Sequence, residues 1–139
     1  MKKVLTSLIL IAPLMLTACG SSQPTATEYP SMIEWYQAMD SKDSPITCEH
    51  REAKTPPLIP SAKYQVMCTD QEGAEANLLI FDSNDDMRRR FEDIQAFSDT
   101  WPVLVGPNWT VDCKTDSQCE RWQKGFGGDI RKSNEVSVP

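Results

Sequence analysis

Few side chains in this 139-residue chain are of a type and spacing that could break or make bonds. Its one histidine, His50, would have to serve any Ser-His-Asp hydrolase, yet no G-x-S-x-G turn is present to expose a nucleophile. The surrounding Cys48-Glu49-His50-Arg51-Glu52 is strongly charged, which reads as solvated surface. Five cysteines stand at positions 19, 48, 68, 113 and 119, none in a C-x-x-C pair. A zinc site would have only His50 to add to them, so no metal is expected. Asp82, Asn84 and Asp86 take the first, third and fifth places of a calcium loop, with Asp93 at the twelfth. Met87 occupies the sixth place, where the sharp turn requires glycine, so these residues read as a helix start instead. Trp101, Trp109 and Trp122 would suit an aromatic platform for sugar or peptide, but tryptophans in a small domain usually belong to its core. There is no glycine-rich phosphate loop, dinucleotide fingerprint or recognisable carboxylate pair. No catalytic residue and no cofactor is therefore nominated.

The strongest chemical signal lies at the start. Met1-Lys2-Lys3 is cationic, Val4 to Leu16 is mostly apolar, and Leu16-Thr17-Ala18-Cys19 follows, the order of an export leader. A helix from residue 4 to 16 would reach only about 20 Å against a hydrocarbon core of about 30 Å, and Pro13 interrupts it. Leu16-Thr17-Ala18-Cys19 resembles the lipobox of bacterial lipoproteins: a branched apolar residue, a tolerant position, a small residue, then cysteine. That resemblance implies a signal peptide over residues 1–18, recognised by the signal peptidase through Leu16, Thr17 and Ala18, with diacylglycerol and a further acyl chain such as palmitate on Cys19. Two or three acyl chains hold a protein on a membrane essentially permanently, at about 0.8 kcal/mol per buried CH₂. The expected location is the extracytoplasmic face of the cell membrane, or the outer membrane if the cell has one. Gly20 after the anchor does not match the aspartate that marks inner-membrane retention in some two-membrane bacteria.

Composition limits the partners. Removing residues 1–18 takes away Lys2 and Lys3 and no acid, which leaves 12 basic against 20 acidic side chains, a formal charge of −8. Nucleic acid and anionic headgroups would be approached against a like-signed field. The length suits one domain. Residues 19–30, small, polar and punctuated by proline, read as a flexible tether, residues 31–132 as the domain, and residues 133–139 as a loose tail.

With Cys19 taken as the anchor, four cysteines remain for a compartment in which disulfides persist. Four allow three pairings, between which sequence does not decide rigorously. Cys48 with Cys68, on neighbouring strands, and Cys113 with Cys119, joining a strand end to a helix start, are favoured.

The pattern around these cysteines predicts the elements. Ser31 with Glu34 forms a capping box ahead of Met32, Trp35, Tyr36 and Met39, which share a helical face over 32–40. Ile46 to His50 reads as a short strand, and three prolines make 54–60 a loop. Residues 64–69 and 74–81 read as a hairpin joined at Asp70-Gln71-Glu72-Gly73. Ser83 with Asp86 starts a helix over 84–98, on which Arg88 faces Glu92 and Arg89 faces Asp93, so the triple arginine reads as a solvated face. Short strands over 103–105 and 109–113 flank Gly106-Pro107-Asn108. Ser117 with Glu120 would cap a last helix, with Gly125 ending it. The order α, β, β, β, α, β, β, α predicts an α+β domain, a small, mostly antiparallel sheet with helices packed on one face, stabilised by disulfides.

Leu104 to Val111, ahead of a terminal helix that ends in Gly127-Gly128, resembles small lipoproteins of actinobacteria over the latter half of the domain. The resemblance implies the envelope compartment and brings no activity. The expected function is a membrane-anchored interaction or binding module of the cell envelope, for an envelope protein, a peptide or a wall polymer. The alternative is a small enzyme acting on wall or lipid material, which would need a pocket holding His50 or a perturbed acid pair.

Overall fold

A computed structural model describes residues 23–41 and 44–138. The anchoring sequence, Leu16 to Cys19, lies outside the described residues. The elements run in chain order α1 (Met32–Met39), β1 (Cys48–Ala53), β2 (Tyr64–Asp70), β3 (Glu75–Ile80), α2 (Asn84–Gln95), β4 (Pro102–Val105), β5 (Trp109–Asp112), α3 (Asp116–Phe126) and β6 (Asp129–Lys132). The strands form one sheet in the order β1-β2-β3-β5-β4-β6, with every neighbouring pair antiparallel. Among the described residues, no helix is long and apolar enough to cross a membrane.

The α+β class, the antiparallel sheet and both disulfides are as the sequence predicts. The layering differs, because the helices divide between the two faces. Ala76, Leu78 and Ile80 of β3 point with Trp109 and Val111 towards α1 and α3, where they meet Trp35, Met39, Trp122 and Phe126. Leu79 and the following Phe81 point the other way and are covered by Met87, Phe91 and Ile94 of α2. The reason is visible in the strand itself: Leu78-Leu79-Ile80-Phe81 is apolar at consecutive positions, so each face of β3 carries surface that must leave water. With Trp35, Trp109 and Trp122 fully buried on the first face, none of them is available as a surface platform.

Helix boundaries follow their caps. Ser31 accepts from the Glu34 amide and Ser83 from the Asp86 amide, as their spacing implies. The last helix is capped two residues before the expected Ser117: Thr115 Oγ1 accepts from the Gln118 amide at 3.2 Å, which leaves Ser117 inside the first turn. It also runs through Gly125 to Gly127, whose φ of 70° supplies the left-handed step. Gly125 serves packing instead, since a Cβ there would lie 2.7 Å from Pro45 Cδ. The hairpin turn is tied to this helix by Asp70, which accepts from the Glu72 and Ala74 amides at 2.9 Å and from Gln118 and Arg121 at 3.3 Å. Burial pushes the Asp70 carboxyl up, but those donors together outweigh it and hold its pKa below the ordinary value.

Both ends of the domain are more ordered than composition suggests. Residues 23–30 belong to the expected tether but lie against the body of the protein. Gln23 donates to the Gly128 carbonyl at 3.1 Å, the Thr27 carbonyl accepts from Trp109 Nε1 at 2.8 Å, and Tyr29 exchanges two hydrogen bonds with the Asn108 side chain at 3.0 and 2.8 Å. The Tyr29 ring stacks on Trp35 with centroids 5.5 Å apart. At the other terminus, Asp129–Lys132 forms β6 along β4, and the expected loose tail folds back through Ser133, which pairs with the Trp101 backbone, to Val136 in the α2 core.

The two disulfides close loops of very different length, with Cα atoms 5.4 Å apart for Cys48 and Cys68, and 5.6 Å apart for Cys113 and Cys119. The first spans 20 residues and the second 6. On loop entropy, the double substitution Cys48→Ser/Cys68→Ser should cost about 3 kcal/mol and Cys113→Ser/Cys119→Ser about 2 kcal/mol. Urea unfolding of both variants checks the order, and an equal or reversed pair of losses would count against it.

Candidate functional site

The sheet face covered by α2 is only partly covered. Helix α2 lies over Leu79, Phe81 and Val103, and the same face continues through Asn77 on β3 and Met67 on β2, which α2 leaves half-buried. A cavity of about 330 Å³ opens there, with Met67, Asn77 and Asp112 as its floor. Trp101 and Cys113 wall it, while Glu75 and Lys114 stand exposed at its rim. The volume is at the lower end for small-molecule sites.

Cross-strand register creates this floor. Met67 pairs with Asn77, and Asn77 with Asp112, so three neighbouring strands place these side chains in one row. A polar chain runs beside it. Gln65 Oε1 accepts from the Leu58 and Ile59 amides at 2.7 and 3.1 Å, and its Nε2 donates to Asn77 Oδ1 at 3.0 Å. Asn77 Nδ2 then donates to Asp112 Oδ2 at 3.2 Å, and Arg90 of α2 donates to the same oxygen at 3.2 Å. The Arg90 and Asp112 side chains are each only 12% exposed. The Arg90 guanidinium also lies 6.0 Å from the centre of the Trp101 ring.

Burial dominates at Asp112 and pushes its carboxyl pKa up, although Arg90, Asn77 and Trp101 all favour the charged form. Asp112 Oδ1, Arg90 Nε, Trp101 Nε1 and Thr110 Oγ1 are buried with no hydrogen-bond partner among the described residues. The indole N–H therefore acts on Asp112 through its proximity, without the alignment of a hydrogen bond. Such a concentration of unsatisfied polar atoms is unusual in a native interior.

This arrangement suits binding better than bond chemistry. Met67 and Trp101 offer apolar contact, and Asn77 and Asp112 offer polar contact. The one cysteine in the lining, Cys113, is consumed by its bridge to Cys119 and is no nucleophile. His50 stands exposed on the edge strand β1 and is not part of the cavity. Asp82 pairs with Lys63 at 2.6 Å, while Asp86 bonds the Ser83 hydroxyl and Arg89 as part of the α2 start. Among the described residues there is no group of three or more side chains able to hold a metal. Cys48, Cys68, Cys113 and Cys119 form the two bridges.

Asp112 and Arg90 were not singled out by sequence, and the signal for both was indirect. Arg90 sits in an arginine run of which only Arg88 and Arg89 face outward, Arg88 to Asp85 and Glu92 and Arg89 to Asp86 in place of the expected Asp93. Asp112 alternates with Val111 and Cys113 and so faces the side assigned to solvent if all helices lie on the other. The unbroken apolar run of β3 was the clue that this second side is also covered.

No family model matches this chain, and no significant similarity connects it to a curated protein or to a solved structure.

Arg90→Met should cost about 3 kcal/mol at pH 7 because it leaves the Asp112 charge enclosed without its counter-ion. The Asp112 pKa is raised on folding, so its ionised form opposes the fold once the pH exceeds the unfolded value of about 3.9. The penalty of Arg90→Met should therefore shrink as pH falls from 7 into the acid range, because protonation of Asp112 removes the uncompensated charge. Denaturant titrations across that range measure this, and a penalty independent of pH would exclude a charged Asp112 as its source.

Proposed function

We propose that the chain is a lipid-anchored envelope protein, held by Cys19 on the extracytoplasmic side of a membrane, whose domain works as an interaction or binding module. The observation that carries this reading is the use of the cysteines. Four of the five are consumed in two disulfides of the domain, as suits an oxidising compartment, and the fifth is Cys19 at the end of the apolar leader. The binding half of the proposal is supported by the cavity over Met67, Asn77 and Asp112, whose lining includes contact surface but no array for catalysis. Its occupant would be part of an envelope protein, a peptide or a wall polymer, and the formal charge of −8 on residues 19–139 disfavours nucleic acid.

Cys19→Ala is expected to appear as uncleaved precursor or in the soluble fraction, while the unaltered protein pellets with membranes and yields an N-terminal peptide bearing diacylglyceryl-cysteine. A Cys19→Ala protein that matures and pellets normally would end the anchoring proposal. A photo-crosslinking residue at Met67 should capture one partner in intact cells that the same residue at Glu34, an exposed position of α1, does not. Equal capture from both positions would remove the cavity from the proposal.

A further inference from the structure

The sheet has two unlike ends, and the N-terminal segment is fastened to one of them. Tyr64 of β2 pairs with Ile80 of β3, and Ile80 with Trp109 of β5, while Val105 of β4 pairs with Asp129 of β6. These residues define one end, capped by the β4–β5 turn Gly106-Pro107-Asn108. Gln23, Thr27 and Tyr29 all bond here, to Gly128, Trp109 and Asn108. Gly127 makes the fit close, because a Cβ on it would stand 2.7 Å from the Ala26 amide nitrogen. The opposite end holds Asp70, Glu75 and Asp112, and with them the candidate cavity.

We infer that the lipidated protein rests on the bilayer with its β4–β5 turn end inward, that Leu58 touches the headgroup–acyl boundary, and that the Asp112 cavity faces away from the membrane. The inference rests on the anchoring proposed above. Its central quantity is a chain length: Gln23 is four residues beyond Cys19, and four residues span at most about 14 Å even when fully extended. Because Gln23 is already bonded to the body, residues 23–30 add no slack. Strand β2 alone, with seven residues, carries the chain about 20 Å from this end towards the other.

What this end presents also fits a lipid surface. The loop between β1 and β2 arrives here, since Lys63 donates to the Ile80 carbonyl at 2.8 Å. Its prolines Pro56, Pro57 and Pro60 restrict the backbone, and Gln65 holds the Leu58 and Ile59 amides, so the outward direction of Leu58 is fixed before any contact. Leu58 is 70% exposed, and Tyr64, which starts β2 and alternates with Gln65, is 36% exposed. Lys63 at this end is already paired with Asp82 at 2.6 Å, so the contact is apolar and held by the leash, without the cationic patch that anionic lipid would require. Phe97, 64% exposed, follows α2 on the way to the start of β4 and belongs to the other end.

The test places p-benzoylphenylalanine at Leu58 or at Phe97 in the full-length chain, made in cells that lipidate it. Membranes are irradiated and phospholipid adducts are counted by mass spectrometry. Adducts from position 58 should exceed those from position 97 by about fivefold or more, given the different reach of the two ends. Equal or reversed yields from protein that remains in the membrane fraction would overturn the orientation while sparing the anchor. Loss of the protein from the membrane fraction would defeat the anchoring reading and this inference with it. A 20-residue Gly-Ser insertion after Ser22 should leave the protein membrane-bound but lower the position-58 yield by about fivefold, because a longer flexible leash dilutes the domain at the surface. An unchanged yield would overturn the argument from leash length.

Discussion

Strand β3 imposes the constraint that organises this fold. It lies between β2 and β5 near the middle of the sheet and has apolar residues at four successive positions through Phe81, so neither of its faces can be left to water. One face takes α1 and α3, brought together around Trp35, Trp109, Trp122 and Phe126. The other takes α2, which follows β3 directly and turns Met87, Phe91 and Ile94 back onto it. Burial of β3 on both sides also explains why short elements suffice. Strands β4 and β5, with four residues each, contribute Val103, Leu104, Trp109, Thr110 and Val111 to an interior already defined by their neighbour.

Covering the second face has an electrostatic consequence. Helix α2 brings Arg90 down with its apolar residues, and β5 presents Asp112 to the same side, so a charged pair is enclosed where an antiparallel sheet often meets solvent. The pair shares one carboxylate oxygen with Asn77, and Asn77 is bonded in turn to Gln65, so polar groups from three strands and a helix satisfy one another in series. The series is incomplete at Asp112 Oδ1, Arg90 Nε and Trp101 Nε1. These lie where α2 stops covering the sheet and the cavity begins, and an apolar pair of similar size would serve stability alone at least as well. The enclosed charges are therefore the feature that distinguishes this end from a purely structural core.

Local signals carried most of the architecture. The capping serines Ser31 and Ser83 and the hairpin turn at Asp70 to Gly73 are short-range, so they could be read without knowing the fold, whereas the sequence only favours the disulfide pairing that the adjacent strands then supply. What the sequence does not show depends on contacts distant along the chain. Residues 23–30 resemble a linker in composition, yet their bonds go to residues more than 75 positions away. Strand β6 has the unpromising sequence Asp-Ile-Arg-Lys and exists because β4 offers it a free edge. Of the candidate site, the cysteine in its wall was legible, whereas Asp112 and Arg90 became legible only once α2 was placed on the second face.

The two ends of the sheet are also held by different means. Cys48–Cys68 ties β1 to β2 near the row that ends in Asp70, and Cys113–Cys119 ties the exit of β5 to α3, so both covalent links lie at the cavity end. The turn end has no covalent link among the described residues and is closed by the N-terminal segment through Trp109, Asn108 and Gly128. These hydrogen bonds form only if the segment leaves water and follows the body, a cost in chain entropy that the stacking of Tyr29 on Trp35 and the close seat beside Gly127 help to offset. An anchor that pulls on Cys19 would therefore load the non-covalent end first, while the cavity end is cross-linked by two disulfides. On the proposed anchoring, the candidate cavity would thus lie at the end with the covalent links and away from the end that takes the pull.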